Sequence, residues 1–179
     1  AGKYGGIADP DGSRLQQAYV DLTMIPDTKL RIGRQAILLD DVRFFGDIGW
    51  RNTAQTFDAV TLTNKSIKDT TVFLGYANNV NTIFFREDEY DGIYIANVKY
   101  SGVKGHTQTL FSYLVDVDED QFKKGPSVAK DVATYGARFT GAFDDLKYDL
   151  TYAKQTEFED TDDIDAQFFQ AELAYKMGS

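Results

Sequence analysis

The chain has 179 residues, enough for one domain, and carries 19 Lys+Arg against 28 Asp+Glu for a formal net charge of −9. That acidic excess excludes a nucleic-acid binder, which needs a basic face to displace counterions from phosphates. With no cysteine and one histidine, His106, there is no disulfide framework, thiolate zinc site, cysteine nucleophile or histidine-cluster metal centre.

Taken in chain order, the apolar residues recur with period two rather than 3.6. Asp9-Pro10-Asp11-Gly12 reads as a turn before it reads as a cation site. Ala18, Val20, Leu22 and Met24 then alternate with Gln17, Tyr19, Asp21 and Thr23, and Pro26-Asp27 makes a turn. A strand over 29–39 follows, with Leu30 and Ile32 opposed to Arg31 and Gly33; the alternation slips at Gly33-Arg34, as a β-bulge would make it do. Further strands are predicted over 57–64, 72–79, 93–100 and 107–117, with His106 in an exposed turn before the last. The clearest alternation lies at 133–143, where Ala133, Tyr135, Ala137, Phe139 and Phe143 share one face and Thr134, Gly136, Arg138 and Thr140 the other. Asp144-Asp145 turns the chain into Leu146, Tyr148, Leu150 and Tyr152, which alternate with Lys147, Asp149 and Thr151. After an acidic stretch at 159–165, Phe169, Ala171, Leu173, Tyr175 and Met177 complete the series. That acidic stretch lacks the glycine and terminal glutamate of a calcium-binding loop and reads as solvated charge. No metal and no cofactor is expected.

The fold class is all-β: an antiparallel up-and-down meander of about nine strands in a single domain, 1–179, of the transmembrane β-barrel type. Connections alternate between short (25–28, 68–69, 102–106, 144–145) and long (40–56, 86–92, 118–131, 159–165), the rhythm of outer-membrane barrels. No apolar run approaches the ~20 residues of a membrane-spanning helix, and no positively charged start with an apolar core marks a signal peptide. Neither observation bears on a barrel, which crosses with alternating strands of ~10 residues. Alternation leaves open which face is inside. An apolar face turned to lipid makes a porin; the same face turned inward makes a soluble barrel that binds a small apolar ligand. Tyr and Phe near strand ends (Tyr135 and Phe143, Tyr148 and Tyr152, Phe169 and Tyr175) match the aromatic girdles of the first.

The segment 30–60, LRIGRQAILLDDVRFFGDIGWRNTAQTFDAV, resembles the signature of the alginate-export family of outer-membrane porins. Gly33-Arg34-Gln35, Asp40-Asp41, Arg43-Phe44, Gly46, Gly49-Trp50-Arg51 and Gln55-Thr56-Phe57-Asp58-Ala59 carry the likeness, with Tyr135-Gly136-Ala137-Arg138 as a later match. The resemblance implies a Gram-negative outer-membrane channel that conducts anionic oligo- or polysaccharide, not an enzyme; the sequence also shows no G-x-S-x-G, P-loop or dinucleotide motif. Family barrels have about eighteen strands. About nine strands and an end at Gly178-Ser179 read as a fragment covering half a family member, open to closure by homodimerisation through its sheet edges. Outer-membrane lipid is the expected surrounding. Arg31, Arg34, Arg43, Arg51, Arg138 and Lys147 are the expected pore-lining or anion-binding groups, since an arginine fork meets a carboxylate with two hydrogen bonds. The alternative is that the loop arginines pair with nearby aspartates. Asp41, Trp50 and Asp58 are expected to anchor the 40–56 loop.

Overall fold

The computed structural model describes residues 12–117, 131–158 and 164–177. The acid clusters at 9–11 and 159–163 and most of the 118–131 connection lie outside these. Among the described residues nine strands form one sheet: β1 (Ala18–Leu22), β2 (Thr28–Gln35), β3 (Thr56–Asn64), β4 (Thr70–Asn81), β5 (Glu87–Tyr100), β6 (His106–Val117), β7 (Val132–Phe143), β8 (Leu146–Glu157) and β9 (Asp165–Tyr175). Every strand pairs antiparallel with its sequence neighbours, in the order β1 to β9. Among the described residues β1 and β9 each pair on one side only.

Three expectations about strand bounds and register are corrected. The strand placed over 29–39 stops at Gln35, and Ile37 leaves the sheet to become buried on its concave side. The connection placed at 86–92 is sheet instead: β5 starts at Glu87, and the turn is closed by Thr82 N–H donating to the Arg86 carbonyl at 2.8 Å. Gly33 has φ +125° but no bulge, since β1–β2 and β2–β3 pairing runs through it without a shift. The irregularities fall on the neighbouring strands, between Ala77 and Asn79 on β4 and between Tyr90 and Gly92 on β5.

The short connections share one construction. In Ile25-Pro26-Asp27-Thr28, Ile67-Lys68-Asp69-Thr70 and Val103-Lys104-Gly105-His106, the fourth residue's N–H donates to the first residue's carbonyl at 2.9–3.1 Å. The third residue is left-handed, with φ of 55°, 56° and 80° respectively. Aspartate and glycine tolerate that region best. Each third-residue carbonyl then accepts from the next hairpin: Lys65 N–H to Asp27, Ser101 N–H to Asp69, Ala142 N–H to Gly105, at 2.8–3.1 Å. Asp144, with φ 50°, starts the fourth turn, and Lys176 N–H donates to Asp145. The rim is stitched turn to turn.

The convex face of the sheet is apolar and uncovered. Ile32, Val60, Leu74, Tyr76, Tyr94, Leu110, Tyr135, Phe139, Leu150, Tyr152, Phe169 and Leu173 are all exposed, Leu110 at 62% and Phe169 at 72%. Tyr76 and Tyr94 meet across β4 and β5 with ring centroids 5.3 Å apart. At the short-turn rim, Phe143, Tyr148 and His106 cluster, with the His106 ring 4.6 Å from Phe143 and its Nδ1 2.8 Å from the Tyr148 hydroxyl. His106 is therefore half-buried in an aromatic rim rather than loose in a turn. Tyr135 and Phe143 mark the two ends of the band on β7; eight residues at ~3.3 Å each span about 26 Å along the strand. Strands tilted by ~40° reduce this to roughly 20 Å of height, close to the ~25 Å apolar belt of outer-membrane barrels.

Candidate functional site

The concave face has two parts. Toward the long-loop rim, Phe57, Ala59, Ala77, Ile93, Ile95, Phe111 and Tyr113 are buried. What buries them is the β2–β3 connection, residues 36–55, which folds back against the sheet. Phe45 packs between Phe57 and Tyr113, with centroids at 5.7 and 4.9 Å, and Phe44 lies 5.3 Å from Phe111 and edge-on to Phe168 at 5.8 Å. Gly136 makes room for the platform: a Cβ there would lie 2.1 Å from the Phe111 ring. Inside the loop, Val42 N–H donates to the Leu39 carbonyl and Leu39 N–H to Phe45, while Gly46 sits so close to Val42 that a Cβ would meet its carbonyl at 2.8 Å. Gln55 ties the returning arm to Asp47 and Gly46. The apolar patch that a soluble ligand-binding barrel would offer is filled by the loop's own aromatics.

Toward the short-turn rim the concave face is polar. Thr71, Lys99, Thr109, Arg138, Thr151 and Gln170 fall in one register row across β4 to β9. Arg138 donates from Nε and Nη2 to the two Asp149 oxygens, the first at 2.9 Å, and its Nη1 lies 3.7 Å from Asp41. Asp40, on the loop, accepts from Asn97 at 2.7 Å and pairs with Lys99 at 3.5 Å. The inserted loop is thus held by apolar packing above and by two aspartates below.

The expected site residues are spread over several surroundings. Arg31 is on the concave face, where it makes a two-toothed pair with Asp21 (2.6 and 2.8 Å) and lies 3.6 Å over the Tyr19 ring. Arg138 is also concave and more enclosed than Arg31, Arg34 or Arg43. Lys147 falls on the same face at the short-turn end, exposed. Arg43 lies on the loop, 3.7 Å from Asp41 and 5.0 Å from the Phe168 ring. Arg51 stacks 5.1 Å from Trp50 and 5.6 Å from Phe84 at the long-loop rim. Arg34 is not on the concave wall: it shares the convex face with Ile32 and Val60, above the apolar band, where it binds Asp58 at 2.8 and 2.9 Å and Glu87 at 3.0 Å. Asp58 accordingly ties strands together on the convex side rather than anchoring the loop. Trp50 does not anchor the loop by burial either; it is 72% exposed. Asp41 lies on the loop, 3.7 Å from Arg138 Nη1.

Sequence reasoning passed over Asn97, Lys99 and Arg14. Lys99 could have been found, since it follows Ile95 and Asn97 at period two and so shares their face. Arg14 donates to the carbonyls of Thr82 (2.7 Å), Ala54 (3.0 Å) and Asn81 (3.3 Å), closing the chain's early segment over the β3–β4 rim. Burial, with the nearby charge of Arg34, lowers its pKa from the usual arginine value.

The sequence matches the family model described as alginate export over residues 5–178. The crystal structure of Acinetobacter baumannii OccAB2 is similar with a TM-score of 0.60 and 21% identity, covering 85% of this chain and 40% of that one. Pseudomonas aeruginosa OccK3 (OpdO) gives 0.60 and 15%, covering 86% and 42%. Acinetobacter baumannii OccAB4 gives 0.58 and 14%, covering 89% and 41%. The chain therefore spans about two fifths of these solved structures. No curated protein matches significantly.

Proposed function

The chain belongs to the alginate export family, and from that premise we propose that it forms part of the wall of a Gram-negative outer-membrane porin. In this reading it conducts anionic oligo- or polysaccharide of the alginate kind passively and catalyses no reaction. One observation carries the reading: the exposed face of the sheet is the apolar one. In water a surface of that kind is an aggregation hazard; against lipid it is the stable arrangement, with the charged face left to line a wet lumen.

The concave cations Arg31, Lys99, Arg138 and Lys147 lower the electrostatic barrier to a polyanion. The aspartates beside Arg31, Lys99 and Arg138 keep it from being trapped, since conduction needs weak, multiple sites. Among the described residues β1 and β9 each leave one edge unpartnered, and such backbone groups must find partners in a membrane. The neighbouring structures hold more than twice the matched length, so further strands complete the wall; for this chain alone a second copy supplies them. Purified protein refolded in detergent and placed in planar bilayers is expected to give channels whose current carries polyuronate, with a dimer mass by light scattering. A monodisperse protein that stays in solution without detergent and gives no conductance would overturn the reading.

A further inference from the structure

The loop meets the polar half of the concave wall through carboxylates. Asp40 accepts the Asn97 amide N–H at 2.7 Å and sits 3.5 Å from the Lys99 ammonium, while Asp41 lies 3.7 Å from an Arg138 nitrogen. These are the groups that would meet a passing uronate. Lys99 keeps about two fifths of its side chain open to solvent in spite of its partner. Lys99 and Arg138 occupy the same register row two strands apart, about 10 Å at the usual strand spacing, a separation suited to a ligand with several carboxylates.

The loop that delivers the aspartates is under backbone strain. Asp40, Val42 and Ile48 have φ of 55°, 57° and 54°. Aspartate accepts that region, but β-branched residues adopt it at a cost the surroundings must offset.

Resting on the porin reading above, we propose that Asn97, Lys99 and Arg138 form a carboxylate-binding subsite of the lumen, which Asp40 and Asp41 occupy as a tethered competitor. A polyuronate carboxylate displaces them and lifts the loop from the wall. The docked loop therefore holds the channel narrow until the solute it conducts is present.

Trp50, the one tryptophan in the sequence, rides on this loop and reports its position. The test titrates a tetrauronate into the detergent-solubilised chain, following Trp50 emission and acrylamide quenching, with a neutral glucose tetramer and sodium chloride of equal ionic strength as controls. Wild type is expected to show a saturable change with the uronate alone. In D40N/D41N, where asparagine keeps the left-handed tolerance and removes the charge, the competitor is lost. A tether gives an effective concentration in the millimolar range, so apparent affinity should rise about three- to tenfold, and uronate binding seen only in D40N/D41N supports the same conclusion. Lys99→Met should weaken binding in both backgrounds. Equal or weaker binding by D40N/D41N, or none by either protein, overturns the proposal. Bilayer conduction of polyuronate separates the two ideas: conduction with an unaltered D40N/D41N affinity removes the competitor and leaves the porin, while no conduction removes the porin itself.

Discussion

The two halves of the concave face are made by the same strands yet are built on different physics. Near the long-loop rim, Phe57, Ile95, Phe111 and Tyr113 are dry because residues 36–55 lie on them. A few residues along the same strands, Lys99, Thr109, Arg138 and Thr151 form a polar row whose charges are answered by Asp40, Asp41 and Asp149. The upper half is held by packing, which is insensitive to salt; the lower half is held by charge pairs, which salt screens. In the proposed porin, one connection thus sets the width while the wall beneath it sets the preference.

The largest effect should come from breaking the packed half. Phe45→Ala removes a ring held between Phe57 and Tyr113 and is expected to cost about 3 kcal/mol, read as a lowered urea midpoint with faster acrylamide quenching of Trp50. Next, the contrast between lipid and lumen can be tested on two neighbouring residues of the β7–β8 hairpin. Leu150→Arg, on the convex face, should destabilise by about 2–3 kcal/mol in lipid vesicles. Thr140→Arg, concave and opposite Asp149, should be close to neutral in the same titration; equal costs would contradict the assignment of faces. In the charged half, Asp149→Asn deprives Arg138 of its two-toothed partner and is expected to cost about 1–2 kcal/mol, with added salt narrowing the gap to wild type. Trp50→Phe, exposed on the rim, should stay within about 0.5 kcal/mol by circular dichroism.

The strands were legible where one face is apolar and the other polar. In β7, β8 and β9 each side chain falls on the side that period two assigns. Legibility failed where that contrast is missing. Glu87 to Asp91 has no apolar side to announce a strand, yet it pairs because β4 extends far enough to template it. Residues 36–39 are apolar enough to extend a strand, and the apolar character of Ile37 calls for burial without saying against what; in the structure it is buried off the sheet. Arg34, expected to line the pore from the family resemblance, lies on the opposite face, because unbroken pairing through Gly33 keeps it with Ile32. The contacts of Asp40 and Asp41 with Asn97, Lys99 and Arg138 span from 57 to 97 positions of sequence, and only the inward fold of the loop brings them together.

The stitched rim of short turns bears on how such a wall is assembled. Because each hairpin donates one backbone hydrogen to the turn before it, and among the described residues each strand pairs with its sequence neighbours, the sheet can grow by accretion from one edge strand to the other, each newcomer finding its template already in place. Local pairing of this kind keeps chain-closure entropy low at every step. In the proposed porin the rim then serves as a running seam that fixes the height at which the next hairpin enters the bilayer.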